Sequence, residues 1–314
     1  MKKTMRIVAL AGGVGGAKLA DGLAQCLKPS ELAVIVNTGD DFEHFGLAIS
    51  PDLDTVCYAL ANIANPDTGW GRKDETWRTL NEIKKLQGAD WFNLGDLDLA
   101  THLERTRRLK EGQTLSTITA HFCAFWGIKV PVFPMSDTPV RTFVHCKDGN
   151  ILPFQEYFVK HRFQPQIDRI ELKNIEQAVV PEKAIAALQE ADCIVICPSN
   201  PFVSIDPIIK IKAIADILSQ KKVLAVSPLI GGEALKGPAA KMFREMGIPS
   251  SSSEVARHYQ DILSLFILDH RDRSQIAVLQ GWGIMCKESD IYMPDRASRK
   301  RLAGEILKFI TENR

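Results

Sequence analysis

Short apolar runs of strand-like composition alternate along this chain with longer stretches of helical periodicity. The predicted strands cover residues 6–11, 32–37, 129–134, 193–197, 223–227 and 265–268. The predicted helices cover residues 17–27, 54–64, 74–86, 114–126, 181–189, 208–219 and 239–246, and "DRASRKRLAGEILKFITEN" predicts a closing amphipathic helix. Because such alternation is typical of α/β proteins, we predict a Rossmann-like, mostly parallel sheet flanked by helices.

The middle of the chain departs from this alternation. The stretch "RTFVHCKDGNILPFQEYFVKHRFQPQIDRIEL" combines strand-like alternation, aromatic residues and a turn signal at 148–150. We therefore predict an inserted, smaller mixed or β-rich segment, a subdomain at about residues 141–180 within a single α/β domain of residues 1–314.

Composition limits the classes of function. The chain has 314 residues, 45% of them hydrophobic, and a net charge of +1, which provides no field to attract a polyanion, so nucleic acid is not an expected partner. Its seven cysteines contain no C-x-x-C pair and are expected to be reduced. The N-terminal apolar run is too short for a signal peptide, and no run reaches the ~20 residues of a membrane helix. We expect a cytoplasmic protein that does not bind membranes.

Four of the five residues at 12–16 are glycine, in the sequence "AGGVGGAK" directly behind the first predicted strand. A dinucleotide-binding G-x-G-x-x-G pattern needs glycine where Lys18 stands, and a P-loop needs serine or threonine where Leu19 stands. The stretch still offers backbone N–H groups at a helix N-terminus and a lysine in the first turn. We interpret it as a cradle for phosphate or diphosphate, the alternative being a tight strand-to-helix turn.

Acidic residues follow the second predicted strand in "VNTGDDFEHFGLAISPDLDTV". Asp40 and Asp41 lie at the strand's C-terminal end, where open α/β sheets bind ligands, and adjacent carboxylates beside a diphosphate suit Mg²⁺. Ser50 suits a helix N-cap, and Asp52 and Asp54 suit the first helical turn, which by itself explains them. Two acidic loops in one neighbourhood favour a metal site.

Other segments place polar residues at turns and strand ends. "NLGDLDLATHL" contains Asn93 and His102, but the sequence has no H-E-x-x-H pattern to indicate a catalytic zinc. "PMSDTPVRT" contains Ser136 and Arg141, and Arg141 can contact a phosphate or pair with Asp137. The charged stretch "DHRDR" after the last predicted strand is interpreted as structural or interfacial rather than catalytic.

Two loops in the second half of the chain offer hydroxyl groups and bare backbone amides at strand ends. The first is "PSNP" and the second is "SPLIGG", which continues to Lys236. Several such loops at one sheet edge would form hydrogen-bonding walls for a nucleotide. The residues concerned are Ser199, Asn200, Pro201, Ser227, Gly231 and Gly232.

Taken in order, these segments resemble the 2-phospho-L-lactate transferase family, which belongs to the biosynthesis of the deazaflavin redox coenzyme F-420. The resemblance runs from about residue 6 to the last helix. It is carried by "GGVGGAKLADGL", "VNTGDDFEHFGLAISPDLDTV", "NLGDLDLATHL", "PMSDTPVRT", "PSNPFVSIDPII", "AVSPLIGG" and "HRDR". The most specific parts are "ISPDLDTV" and "PSNP".

The resemblance implies a Mg²⁺-dependent transfer of a 2-phospholactyl group from a guanosine diphosphate-linked donor, with release of GMP. The acceptor is the ribityl hydroxyl of 7,8-didemethyl-8-hydroxy-5-deazariboflavin, and in some lineages the donor carries enolpyruvyl phosphate instead. The expected partners are these small molecules and a second copy of the chain in a homodimer.

The resemblance also implies residue roles. Asp54 and Asn93 are expected to contact the deazaflavin, although family members often carry a basic residue at position 93. Asp41 and Asp54 are expected to handle the metal and to act in catalysis, with Asp54 orienting or deprotonating the attacking hydroxyl. The guanosine diphosphate portion is expected to contact Gly12, Gly13, Gly15, Gly16, Lys18, Ser136, Ser199, Asn200, Pro201, Ser227, Gly231 and Gly232.

Two other classes of function compete with this interpretation. A non-catalytic nucleotide-sugar-binding regulator would share the glycine stretch, but such proteins carry a differently composed segment in place of "TGDDFEHFGLAISPDLDT". An NAD-dependent oxidoreductase would need the glycine spacing that Lys18 interrupts.

Overall fold

The computed structural model describes residues 5–234 and 237–313. Seven strands form one parallel sheet, so the predicted Rossmann-like fold is confirmed. The described strands are β1 (Ile7–Ala11), β2 (Leu32–Val36), β3 (Phe42–His44), β4 (Leu47–Ile49), β5 (Val132–Pro134), β6 (Arg141–Cys146), β7 (Ile151–Pro153), β8 (Ile167–Lys173), β9 (Cys193–Ile196), β10 (Val223–Val226), β11 (Leu229–Ile230), β12 (Glu233–Ala234), β13 (Leu265–Asp269) and β14 (Met285–Ser289). The order in the parallel sheet is β14-β13-β10-β9-β1-β2-β5.

Helices cover both faces of this sheet. The described α-helices are α1 (Gly13–Cys26), α2 (Pro51–Leu60), α3 (Arg78–Lys85), α4 (Asp96–Lys110), α5 (Leu115–Phe125), α6 (Glu182–Glu190), α7 (Asp206–Ile209), α8 (Lys212–Leu218), α9 (Ala239–Glu245), α10 (Ser252–His258), α11 (Ile276–Gly281) and α12 (Arg296–Glu312). Val8 and Leu10 of β1 pack into the apolar cluster on one face, whereas Ile7 and Ala9 pack into the cluster on the other. Burial on both faces explains why the central strands are continuous apolar runs.

Three small antiparallel sheets accompany the parallel one. β3 and β4 form a hairpin, β11 pairs with β12, and β6 lies between β7 and β8. The sheet of β6, β7 and β8 confirms the prediction of a smaller β-rich segment inserted into the α/β fold. Its treatment as a subdomain of a single domain stays a prediction.

Several predicted boundaries differ from the structure for physical reasons. β14 was not predicted because it is an edge strand with the polar sequence MCKES, and Met285 is 45% exposed. The predicted helix at 208–219 is divided into α7 and α8, because Ile211 has extended backbone angles. α1 begins at Gly13, four residues before the predicted start, so the glycine stretch is the first turn of the helix itself.

The closing helix α12 packs tightly against α1. A Cβ atom on Gly22 would lie 2.3 Å from the backbone oxygen of Arg299, so only glycine fits where the helices meet. Asp21 is buried beside this contact, and its carboxylate accepts hydrogen bonds from Arg296 at 3.0 Å and from Arg299 at 3.1 Å. The last helix is thereby tied to the first.

Among the described residues, no helix is both long enough and apolar enough to cross a membrane. All seven cysteines are free thiols, five of them buried, as their sequence context predicts.

Candidate functional site

The candidate site lies where the strand order of the sheet reverses. β1 has β2 on one side and β9 on the other, and such reversal points bind ligands beyond the C-terminal ends of the strands. Gly12 follows β1 and Ser199 follows β9, and Ser199 Oγ donates a hydrogen bond to the Gly12 carbonyl at 2.7 Å. A cavity of about 800 Å³ opens at this edge, which is large enough for a nucleotide and a second substrate.

Two glycines in the first turn of α1 allow the helix to approach the loop after β9. A Cβ atom on Gly15 would lie 2.1 Å from the Pro198 carbonyl oxygen. One on Gly16 would lie 2.7 Å from Ser199 Oγ. The backbone contact excludes any side chain at Gly15, whereas at Gly16 a side chain would displace the Ser199 hydroxyl from its bond to Gly12, so both glycines serve the packing of α1 against the PSNP loop.

The other two glycines lie at the strand-to-helix junction. A Cβ atom on Gly12 would lie 2.6 Å from Asp52 Oδ2, and Gly13 has a φ of +59°, a conformation that favours glycine. Both residues line the cavity, together with Lys18 in the second turn. The glycine stretch thus brings the N-terminus of α1 to the cavity and also joins it to the acidic loop.

The structure brings most of the predicted site residues to this one cavity. The predicted residues that line it are Gly12, Gly13, Gly15, Lys18, Asp54, Asn93, Ser199, Asn200 and Ser227. Those that do not line it are Gly16, Asp41, Ser136, Pro201, Gly231 and Gly232. Lys236 lies outside the described residues.

Ser136 is one of the residues behind the wall. Its hydroxyl donates to the Thr138 carbonyl at 2.8 Å and accepts from the Val179 amide at 3.1 Å. These bonds hold the turn after β5, so the geometry gives Ser136 a structural task.

Asn37 organises two buried carboxylates at the end of β2. Its side-chain amide donates to Asp40 at 3.0 Å and to Asp52 at 2.9 Å, and both carboxylates line the cavity. Gln155 donates to the other oxygen of Asp40 at 2.8 Å. Burial raises the pKa of Asp52 to about 6. Burial and the charges of Asp52 and Asp41 raise the pKa of Asp40 well above its usual value.

Asp41 lies beside this pair and faces Ser50. Ser50 occupies the predicted N-cap position of α2, but its hydroxyl donates to Asp41 Oδ2 at 2.7 Å and makes no capping bond to the helix. The second oxygen of Asp41 is buried and has no hydrogen-bond partner among the described residues. Burial raises the pKa of Asp41 to about 7, although the Arg141 guanidinium and the Ser50 bond act in the opposite direction.

Asp54 is held by a buried arginine. Arg105 Nη1 donates to Asp54 Oδ2 at 3.0 Å, and Arg105 Nη2 donates to Asp54 Oδ1. Both side chains of the pair are buried, and Asp54 also lines the cavity. Burial raises the pKa of Asp54, and the Arg105 charge opposes that rise. Two parallel hydrogen bonds fix the plane of the carboxylate.

His102 connects this ion pair to Asp98. Arg105 Nη1 donates to His102 Nδ1 at 3.1 Å, and because arginine is only a donor, Nδ1 is the acceptor and the ring carries its proton on Nε2. That nitrogen lies 3.5 Å from Asp98 Oδ1, which also accepts from the Tyr58 hydroxyl at 2.6 Å. Burial by itself would raise the pKa of Asp98. The contacts with His102 and Tyr58 outweigh burial and lower that pKa below its usual value.

These side chains form the one group among the described residues whose ligand atoms are spaced for a metal ion. One atom from each of Asp54, Asp98 and His102 lies within 4.8 Å of the others. With His102 Nδ1 occupied by Arg105 and Nε2 protonated, the carboxylates are the available donors. Each carboxylate oxygen has two lone pairs, so the Arg105 bonds leave Asp54 able to bind a cation. Oxygen ligands suit Mg²⁺.

The rest of the cavity is strongly apolar and aromatic. Phe92 lies beside Asn93, and its ring packs edge-on against Phe42 with the centroids 4.9 Å apart. Phe154 and Phe158 are stacked with centroids 5.6 Å apart and planes 2° apart. The aromatic residues that line the cavity are Tyr58, Trp70, Phe92, Phe154, Phe158 and Tyr292. Such a surface suits a planar heteroaromatic ligand.

Sequence reasoning missed several residues of the site. Asn37 ends a predicted strand, so the rule that selected Asp40 and Asp41 could also have selected it. Arg105 was missed, although it follows His102 on α4 by three residues and so shares its helix face. Gln155 gave no such signal, because it lies in the inserted segment and meets Asp40 only in the folded chain.

Comparisons with known proteins identify the family of the chain. The family model described as 2-phospho-L-lactate transferase CofD matches residues 7–303. A 2-phospho-L-lactate transferase of Methanosarcina mazei is 36% identical over 302 residues, covering 96% of this chain and 99% of the relative. A phosphoenolpyruvate transferase of Streptomyces griseus is 38% identical over 317 residues, covering 99% of this chain and 100% of the relative.

A solved structure of a UPF0052 family protein from Bacillus halodurans has the same fold, with a TM-score of 0.62 over 98% of this chain and 100% of that chain. At 14% identity this likeness concerns the fold alone. The family match over nearly the whole chain confirms the resemblance drawn from the sequence motifs. The chain belongs to the 2-phospho-L-lactate transferase CofD family and is an enzyme of that family.

Proposed function

We propose that this enzyme transfers a 2-phospholactyl group, or its enolpyruvyl phosphate analogue, from a guanosine diphosphate-linked donor to the ribityl hydroxyl of 7,8-didemethyl-8-hydroxy-5-deazariboflavin. GMP is the released product, and the reaction is a step of coenzyme F-420 biosynthesis. The observation that carries the proposal is a single cavity lined both by the N-terminus of α1 and by the buried carboxylate of Asp54. Displacement at phosphorus needs an anion cradle and an oriented hydroxyl in one space.

The donor is proposed to bind at the ends of β1, β9 and β10. α1 has no acidic residue in its own first turn, and although the Asp52 carboxylate accepts a hydrogen bond from the Gly13 amide, the positive end of the helix still attracts an anion. Lys18 adds a positive charge on the cavity wall, and Ser199, Asn200 and Ser227 add polar groups. A diphosphate fits the helix end, and the nucleoside fits the polar walls.

The acceptor is proposed to bind at the aromatic end, beside Phe92 and Asn93. Asp54 is then the residue that accepts a hydrogen bond from the attacking hydroxyl, because its carboxylate lines the cavity and its plane is fixed by Arg105. The acceptor oxygen attacks phosphorus directly, the phosphoanhydride bond breaks, and the electron pair leaves with GMP. No covalent enzyme intermediate is required.

We further propose Mg²⁺ as the cofactor. Asp54 and Asp98, whose oxygens are close enough to share an ion, would hold it, and Asp41, which has a buried oxygen without a partner among the described residues, is proposed as a further ligand with Asp54. The ion would neutralise charge on the diphosphate as the bond breaks. Turnover is expected to stop in excess EDTA and to return when Mg²⁺ is restored; undiminished turnover in EDTA would exclude the metal.

A direct assay tests the reaction. The protein is incubated with the deazaflavin, Mg²⁺ and each guanylated donor in turn, and GMP and the phosphodiester are detected by mass spectrometry. The phospholactyl and enolpyruvyl products differ by two hydrogen atoms, so the assay also identifies the donor. Asp21→Asn is the matched control for Asp54→Asn. Asp21 is also a buried carboxylate paired with arginines, but it lies far along α1 from the cavity.

The assay separates the competing classes. Product with wild type and with Asp21→Asn supports the proposal. Nucleotide binding without any product from either donor would instead favour the non-catalytic regulator. Light scattering on the same sample measures the oligomeric state, for which a homodimer is proposed.

A further inference from the structure

The motif HRDR lies behind the cavity wall. It forms a turn of 3-10 helix at His270–Gln275, and within it Asp272 is buried, at 3% exposure, without lining the cavity. Its carboxylate accepts hydrogen bonds from the Gly231 amide at 3.1 Å, from Ser252 Oγ at 3.0 Å and from Gln275 Nε2 at 3.2 Å. Three donors on one buried carboxylate make it the centre of a network.

That network reaches the cavity through a second serine. Ser252 Oγ lies 2.9 Å from Ser227 Oγ, and Ser227 lines the cavity. The same Ser227 hydroxyl accepts from the Leu229 amide at 3.1 Å. Asp272 is thus linked to both ends of the loop 227–232, through Ser252 at one end and through Gly231 at the other.

The loop needs such support because of its conformation. Gly231 and Gly232 have φ values of +61° and +78°, and glycine has little preference of its own for one region of backbone space. A Cβ atom on Gly232 would lie 2.8 Å from the Ser250 carbonyl oxygen, so the loop is closely packed against the segment that precedes α10. Hydrogen bonds from behind hold it in this one conformation.

Asp269, three residues before Asp272, accepts a hydrogen bond from the backbone of another segment of the cavity wall, residues 291–293. Its Oδ2 accepts from the Ile291 amide at 3.4 Å, and Ile291, Tyr292 and Met293 line the cavity. The end of β13 therefore supports two separate wall segments with buried carboxylates.

We propose that Asp272 is a positioning residue for the nucleotide end of the cavity, which it sets through Gly231 and Ser252. The inference rests on the proposed function, in that the loop 227–232 is taken to contact a guanosine diphosphate. Asp272 touches no substrate. It fixes the placement of Ser227, Pro228 and Ile230, the three loop residues that line the cavity.

The test is calorimetric titration of GDP, and separately of the deazaflavin, into wild type and variants. Asp272→Asn replaces one of the two acceptor oxygens by an amide that can only donate. At Oδ2 the Gly231 amide and Ser252 Oγ both lose their acceptor, whereas at Oδ1 only Gln275 loses it, and in either orientation the remaining bonds go to an uncharged oxygen. We expect GDP to bind about tenfold more weakly to this variant, as is typical when the hydrogen bonds of a supporting network are lost or weakened. Deazaflavin affinity should be unchanged, and in turnover KM for the donor should rise more than kcat falls.

Ser252→Ala provides a second, milder variant, because it removes the link to Ser227 and leaves the bond between Asp272 and Gly231. It should weaken GDP binding by about threefold, and it decides the question if Asp272→Asn does not fold. Asp21→Asn is the control for loss of a buried, multiply bonded carboxylate, and it should bind GDP like wild type.

The outcomes are distinct. Equal GDP affinity in Asp272→Asn and Asp21→Asn, or a parallel loss of deazaflavin affinity, would give Asp272 a structural role only and overturn the inference. Absence of GDP binding by wild type would overturn the proposed function and the inference with it.

Discussion

Asp54 and Arg105 are 51 residues apart in the sequence, yet their side chains form a buried ion pair at the edge of the cavity. The sequence marks Asp54 as a candidate, because it lies in an acidic loop behind the second strand. It does not identify the partner, since a buried pairing over this distance depends on how α2 packs with α4. The partner matters, because a buried charge that loses its counterion destabilises the fold.

We expect Asp54→Asn to affect both activity and stability. Turnover should fall by at least about a hundredfold, because an amide neither accepts the proton of the attacking hydroxyl nor carries charge. The free energy of unfolding should fall by about 3–5 kcal/mol, since Arg105 is left buried without a counterion. Steady-state kinetics and urea unfolding measure the two effects.

The double variant Asp54→Asn with Arg105→Met separates these effects. It removes both charges, and the apolar methionine fills part of the space that the arginine leaves, so stability should return in large part. Activity should stay low. If the double variant recovers turnover together with stability, Asp54 acts only through folding and its proposed chemical role is wrong.

The glycine stretch shows the limits of sequence reasoning at the scale of an element. Its position after a strand predicts a helix N-terminus facing a ligand, and Gly12, Gly13 and Gly15 do line the cavity. The need for glycine at positions 15 and 16 has a different cause, which is packing rather than ligand binding. Gly15 and Gly16 make room for the loop after β9, which lies more than 180 residues further along the chain. No local pattern reports which distant backbone a helix will approach.

Gly15→Ala tests this packing role. A methyl group 2.1 Å from the Pro198 carbonyl oxygen forces α1 and the PSNP loop apart. We expect a loss of more than about 2 kcal/mol in the free energy of unfolding, together with weaker GDP binding. Thermal and urea unfolding are the measurements.

Gly304→Ala in α12 is the matched control. Its added methyl group has nothing within 4 Å and its φ is ordinary for a helix, so alanine should stabilise the protein by about 0.5–1 kcal/mol. If Gly15→Ala behaves like Gly304→Ala, close approach to the PSNP loop does not explain the glycine at position 15.

For the whole molecule, the sequence predicts the fold class well because each central strand is a buried apolar run that ends near polar residues. Strand order cannot be read in this way, and β14 was missed because its side chains are only partly buried. The site is predicted only in part, because the sequence shows which residues follow a strand but not which residues meet by tertiary packing. Residues directly after strands were found, whereas Arg105 and Gln155, whose contacts come from tertiary packing, were not.

The fold brings several buried carboxyl groups to one edge of the sheet. The stability of the metal-free protein therefore depends on pH. The pKa values of Asp41 and Asp52 are raised to about 7 and about 6. Because the folded protein holds these protons more tightly than the unfolded chain, their contribution to stability is complete below about pH 4. It is lost as the pH rises through 6 to 7.

We therefore expect the free energy of unfolding in EDTA to fall between about pH 4 and pH 7, with each group contributing up to about 1.4 kcal/mol per pH unit. Asp41→Asn cannot ionise and should show a shallower fall than wild type. Urea unfolding at several pH values measures this. Identical slopes for wild type and Asp41→Asn would show that Asp41 is already ionised in the folded protein.

Mg²⁺ should reverse this loss, because it binds the ionised carboxylates and so stabilises the folded state only where they have lost their protons. Millimolar Mg²⁺ is expected to raise the melting temperature clearly at about pH 7.5 and very little at about pH 5. Asp41→Asn should reduce the rise, whereas Asp21→Asn should keep it, since its carboxylate is paired with Arg296 and Arg299 away from the cavity. Differential scanning calorimetry without substrates measures the effect independently of turnover. An undiminished rise in Asp41→Asn would exclude Asp41 as a ligand and leave the cation to Asp54 and Asp98, and an equal rise at both pH values would show that the carboxylates with raised pKa values do not bind it.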